Sequence, residues 1–199
     1  MALSALSDEL MRAEGMMMQD QNEEALELLL RLAEDAEEYV DCNCQTTDEV
    51  QYFAFPTLFD RLAYRRVEND PRKLEDVHEP FDRLYGDLAM AYVRTGDYEN
   101  AMNALKTAIR WNPMNCGFRL DLADLFKIAG DIREHIALTF GVFERASEAR
   151  HLTRAFLNFA AWFEAQGRLE QAAACLRAAR RFEVKDSTLE AALDQAAGT

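Results

Sequence analysis

The 199-residue sequence predicts an all-α protein, an α-solenoid of stacked antiparallel helix hairpins. Three observations predict it. Apolar residues recur at i, i+3, i+4 and i+7 along most of the chain, the spacing that gives a helix one apolar face. Glycine followed by aspartate interrupts this pattern twice, at Gly96-Asp97 and Gly130-Asp131. Only four prolines and eight glycines occur, which suits helices with sparse, sharp breaks.

Taken in order, "DELMRAEGMMMQDQNEEALELLLRLAEDAEEYV" reads as two helices joined near Asp20 and Gln21. Ala13, Met16, Ala25, Leu29 and Leu32 give it an apolar face, with Met16 toward the core and its methionine neighbours at the edge. Residues 1–45 are therefore expected to form an acidic N-terminal hairpin without a turn glycine. After the loop "NCQTTDEV", residues 50–67 read as another apolar helix, which Pro56 either kinks or starts. "ENDPRKLEDVHEP" reads as a linker, so residues 46–78 are expected to be an irregular helical segment and linker.

From residue 79 the pattern sharpens. Tyr85, Leu88, Ala89 and Tyr92 form one apolar face, and Ala101, Leu105 and Ala108 form the next. Gly96 between them suits a left-handed helix end, Asp97 the following cap, and Pro113 the stop. Gly130 follows after 34 residues, preceded by Arg119, Leu122, Ala123 and Phe126. Gly167 follows 37 further on, between Phe156, Phe159, Ala160 and Phe163 on one side and Ala172, Leu176 and Ala179 on the other.

A 34-residue period with these landmarks resembles the tetratricopeptide repeat family. The copy at Asp82–Asn115 matches best, through Ala89, Tyr92, Gly96, Tyr98, Ala101, Ala108 and Pro113. The copy from Cys116 has His135 where a small Ala belongs. The copy from Thr153 has Val184 in place of the closing proline. Three repeats are thus expected over residues 79–186. A capping helix, "TLEAALDQAA", is expected over residues 187–199 to cover the final face, started by Asp186 or Ser187.

Composition narrows the function. Net charge is −14, and residues 1–50 hold 14 acids against Arg12 and Arg31 alone. Nucleic acid, which demands clustered Lys and Arg, is not expected as a partner. The nine-residue runs "HIALTFGVF" and "AFLNFAAWF" fall short of a membrane span. The start "MALSALSDELMR" lacks the pattern of a signal peptide, so the expected location is cytoplasmic. His78, His135 and His151 are scattered, and Cys42 and Cys44 lack further ligands nearby, so no metal, cofactor or catalytic residue is expected.

The resemblance implies a concave groove lined by the first helix of each hairpin. Its residues would be Arg83, Asp87, Met90 and Arg94, then Leu120, Asp121, Asp124 and Lys127, then Arg154, Asn158, Ala161 and Glu164. Gly86, Met90 and Asp121 stand where the family's carboxylate-gripping members carry Lys or Asn. The expected function is a non-catalytic module that binds an extended or helical segment of a protein partner of mixed or basic charge. The exposed acidic stripe Glu34, Glu37, Glu38 and Asp41 reads mainly as a solvated face. Two further readings are a chaperone of the secretion type for an exported protein, and self-assembly into a structural homo-oligomer.

Overall fold

The structure, a computed structural model, describes residues 3–197. Among them the elements follow in the order α1 Leu3–Met18, α2 Asn22–Asn43, β1 Val50–Phe53, α3 Leu58–Glu68 and β2 Lys73–Asp76. Then come α4 Phe81–Thr95, α5 Tyr98–Trp111, α6 Cys116–Ile128, α7 Ile132–Arg145, α8 Ala149–Ala165, α9 Leu169–Arg180 and α10 Ser187–Ala197. They form two compact units, one ending at Met114 and one starting at Asn115.

In the first unit the hairpins α1–α2 and α4–α5 stack, with α2 and α1 both packed on α4. Leu6, Leu10, Ala13, Leu29 and Leu84 are fully buried there. Each such leucine contributes on the order of 1.5–3 kcal/mol by leaving water. Small residues sit where the helices come closest: Ala89, Ala101 and Ala108 are at most 2% exposed. The core methionine is Met17, not Met16, which is only half-buried, while Met18 points to solvent. At the far end of this hairpin the buried Asp82 accepts from Asn112 Nδ2 at 2.8 Å, joining the start of α4 to the end of α5.

Residues 46–78 differ from the sequence expectation. A helix from residue 50 and a linker were expected; a strand, a helix and a second strand are found. β1 and β2 pair in parallel, with Val50 opposite Lys73 and Phe53 opposite Asp76, and α3 is the crossover between them. Pro56 stands just before the N-cap Thr57, whose side chain accepts from Asp60 N. The strand Val50–Phe53 alternates in burial, with Gln51 and Phe53 inward, and Phe53, Phe55, Tyr64, Leu74 and Met114 form one cluster. Asp70 holds the return. It accepts from Tyr64 Oη at 2.9 Å and from Arg72 Nη2 at 2.7 Å, while Arg72 Nη1 donates to Gln51 Oε1 at 2.9 Å. The Arg72 guanidinium keeps the Asp70 carboxyl well below the usual range.

In the second unit α6–α7 and α8–α9 are the hairpins, and α10 packs on α8 and α9. Asp186, not Ser187, starts α10 by accepting from Thr188 N and Leu189 N. His135, in place of the small residue, is buried and donates from Nδ1 to Ala123 O at 2.8 Å. The larger side chain is accommodated because its polar atom finds a carbonyl of the paired helix.

Four hairpin turns share one geometry. Gly96, Gly130 and Gly167 have φ of 84°, 84° and 71°, the left-handed conformation that the sequence predicts. The next amide reaches back five residues: Asp97 N to Tyr92 O, Asp131 N to Phe126 O and Arg168 N to Phe163 O, at 2.8–2.9 Å. The glycine-free turn does the same with Asp20 at φ 59°, closed by Gln21 N to Met16 O at 3.0 Å. This satisfies the orphan carbonyls of each first helix.

A Cβ at Gly96 would meet nothing within 4 Å, so substitution there tests backbone conformation alone. Gly96→Val is expected to cost on the order of 1–2 kcal/mol and lower the thermal midpoint by several degrees. Asp20→Gly is expected to leave the midpoint unchanged or raise it. Scanning calorimetry of both variants checks the assignment, and an unaltered midpoint for Gly96→Val would refute it.

Candidate functional site

The helical turns set which residues of the first helix in each hairpin face outward together. In the first unit these residues meet α1. Arg83 donates to Glu14 Oε1 from Nε at 2.9 Å and from Nη2 at 2.6 Å, and also lies 3.9 Å from Asp87. Arg94 Nη1 donates to Met17 O at 3.0 Å, with Asp20 at 3.9 Å. Met90 lies between them on α4 and is 48% exposed.

The second unit repeats the arrangement with different acids. Arg154 Nη2 on α8 donates to Asp121 Oδ1 and Asp124 Oδ2 on α6, both at 2.6 Å. Asn158 reaches Thr139 Oγ1 at 3.4 Å, while Lys127, Ala161 and Glu164 are exposed. Leu120 is not available as an apolar floor. It is fully buried with Cys116, Val142 and Ala155, because its side of α6 faces α7 and α8.

A cleft of about 450 Å³ opens beside this ion triad. Asp121, Arg150, His151, Arg154, Asp186 and Leu189 line it, so α6, α8 and the start of α10 form its walls. His151 is buried, and burial depresses its pKa despite Glu148 at 3.9 Å. It is therefore largely neutral near pH 7. Arg150 pairs with Glu148 at 2.7 Å. The cleft thus holds both signs of charge, with Arg154 engaged by Asp121, Arg150 by Glu148, and Asp186 by the amides of Thr188 and Leu189.

Of the cations expected on this face, Arg83, Arg94 and Arg154 are committed within the fold, while Lys127 is exposed. Glu14 and the Met17 carbonyl were missed, because their positions relative to Arg83 and Arg94 depend on how two hairpins stack. Asp186 and Leu189 were missed as cleft residues for the same reason. Cys42 is exposed and Cys44 buried, with burial raising the Cys44 thiol pKa. Among the described residues no group of His, Cys, Asp and Glu is arranged to hold a metal.

Asp87 is the most perturbed carboxyl of this face. Burial pushes its pKa up to about 7, and the neighbouring Glu14 charge adds to that while Arg83 opposes it. Its Oδ2 is buried without a hydrogen-bond donor. Protonated, it can donate to Glu14 instead.

Similarity to known proteins is specific in one place. The tetratricopeptide repeat family model matches residues 82–115. That segment takes in α4 from its second residue and the whole of α5. The chain is similar in structure to TTC0263, described as a thermophilic TPR protein in Thermus thermophilus. That match has 18% identity over 98% of this chain and 100% of the other, at a TM-score of 0.48. It is similar also to MamA, at 16% identity over 87% of this chain and 86% of the other, with a TM-score of 0.45. No curated protein sequence matches it.

The raised pKa of Asp87 has a sign that can be measured. The unfolded carboxyl titrates near pH 4 and the folded one near 7, so the native state binds the extra proton between those values. The stabilisation is complete below about pH 4 and is lost as pH rises through 7. Asp87→Asn, neutral at every pH, is expected to be more stable than wild type at pH 8 by on the order of 2 kcal/mol. The difference should vanish near pH 4. Urea unfolding at both pH values checks this, and a variant equally destabilised at both would contradict it.

Proposed function

We propose that the chain is a non-catalytic protein-interaction module. It holds an extended or helical segment of a partner against the exposed first-helix faces of its hairpins. The observation that carries this reading is the cleft between α6, α8 and α10, lined by Asp121, Asp186, Arg150 and Arg154 with Leu189 beside them. Such a surface suits a peptide with both signs of charge and an apolar anchor. The anchor supplies most of the affinity, and the charges set register and encounter rate.

Arg154 is already bound by two aspartates, so a partner's terminal carboxylate would have to displace them. Acidic C-terminal tails are accordingly the wrong ligands. A basic side chain of the partner is favoured, since it can join Asp121 and Asp186. The four cysteines are unpaired, which supports a reducing location such as the cytoplasm. No described helix is long and apolar enough to cross a membrane.

Titration of internal mixed-charge peptides against acidic C-terminal peptides tests the proposal. The mixed-charge peptides are expected to bind, several-fold more weakly at high salt but still measurably, because exposed ion pairs are worth only about 0–1 kcal/mol each. Arg154→Ala frees Asp121 and Asp124 and is expected to strengthen binding of basic peptides. Tight, carboxylate-dependent binding of acidic tails, lost in Arg154→Ala, would overturn the reading.

A further inference from the structure

Two surfaces of the first unit match one another. The first is the outer face of α3. Leu58, Phe59 and Leu62 are 70%, 63% and 61% exposed, while the other side of the helix packs through Tyr64 on Phe53 and Phe55. One turn after Leu62 stands Arg66, also exposed. Arg65 is occupied, donating to the carbonyls of Asp70 and Arg72. Three adjacent large apolar side chains on one exposed helix face mark an interaction surface.

The second is a cleft of about 300 Å³ among α2, α4 and α5. Leu30, Tyr85, Leu88 and Tyr92 give it an apolar floor, and Glu34 and Glu37 stand on its rim. These residues of α4 are not those that meet α1, so this surface is independent of the peptide-binding reading.

We propose that α3 of one copy docks into the α2–α4–α5 cleft of a second copy, so that the chain self-associates head to tail. Charge argues for this occupant. One wall of the cleft, α2 with Glu34 and Glu37, belongs to residues 1–50, whose net charge is −12, and it would repel most of the surface of a chain this acidic. The α3 face is different: it is apolar and ends in a cation. Spacing agrees as well. Leu62 to Arg66 and Leu30 to Glu34 are both four residues, about 6 Å along a helix at 1.5 Å per residue. With the two helices running in the same direction, the leucines meet while the Arg66 guanidinium meets Glu34, with Glu37 one turn further. An amphipathic helix in an apolar groove is a recurrent mode of association. Because the two surfaces differ, a dimer keeps one of each free, and association propagates beyond it unless a ring closes.

Sedimentation velocity of the full chain over a range of concentrations tests this. The wild type is expected to grow in mass with concentration and to dissociate partly at high salt. Leu62→Glu and Arg66→Glu should each be monomeric, as should a Glu34→Arg, Glu37→Arg double variant. All four positions are exposed, and circular dichroism confirms that the variants fold. The deciding arm is a mixture. An equimolar mixture of Leu62→Glu with the double variant is expected to form a dimer and nothing larger, since each chain contributes one intact surface. A wild type that stays monomeric overturns the proposal, including one that binds a foreign basic amphipathic peptide in the cleft. So does dissociation by the α3 variants but not by the cleft variant, which would mean that α3 pairs with itself. A mixture that stays monomeric also overturns it.

Discussion

The hydrogen bond that closes each hairpin, from the residue after the left-handed turn back across five residues, is the constraint on which the other features rest. It forces the second helix to fold back along the first, and it stops the first helix at a defined residue. Which side chains of α4, α6 and α8 share an outward face then follows from helical periodicity. Glycine meets the left-handed requirement without steric cost at three turns. Asp20 meets it at the fourth, as a short polar residue can. The turn is thus a property of the hairpin, and the glycine is only its easiest solution.

Once the turns are set, hairpin stacking distributes the charge. In each unit an arginine of the later first-helix reaches an acid of the earlier one: Arg83 to Glu14, and Arg154 to Asp121 and Asp124. A guanidinium can serve two carboxylates at once because its donors spread in a fixed plane. The pairing offsets like-charge repulsion in a chain of net charge −14, and it leaves the faces polar without large local potential.

The strand–helix–strand insertion obeys a different economy. A two-stranded parallel pair has little hydrogen bonding of its own, so α3 and the Phe53–Phe55–Tyr64 cluster must hold it. Asp70, Tyr64 and Arg72 lock the return polypeptide onto the helix. Fixing α3 through one face obliges the other to meet water, and that face carries Leu58, Phe59 and Leu62. The insertion is therefore both the least repeat-like part of the first unit and the one with the most apolar surface outside.

Much of the fold was legible in the sequence because local signals carried it. The period of apolar residues, the turn glycines and the Asp97 and Asp131 caps act within a few residues of one another, and no distant contact is needed to read them. The strands were misread for a physical reason: "YFAFPTLFDRLAYRRV" is apolar enough for either period, and only pairing with "KLED" and packing on Met114 select the extended form for its first part. The candidate site was half legible. Arg83, Asp87, Asp121 and Arg154 could be placed on outward faces by counting residues. Their partners could not, because Glu14 lies 69 residues from Arg83, and Asp121 lies 33 from Arg154. The burial of Leu120 and the raised pKa of Asp87 are likewise effects of neighbouring helices. The sequence by itself determined the hairpins and their outward residues, since backbone sterics and helical period are local. Which charges pair, which leucine is hidden and which surfaces stay open were decided only when the hairpins packed, because burial and ion pairing depend on distances between elements far apart in the chain.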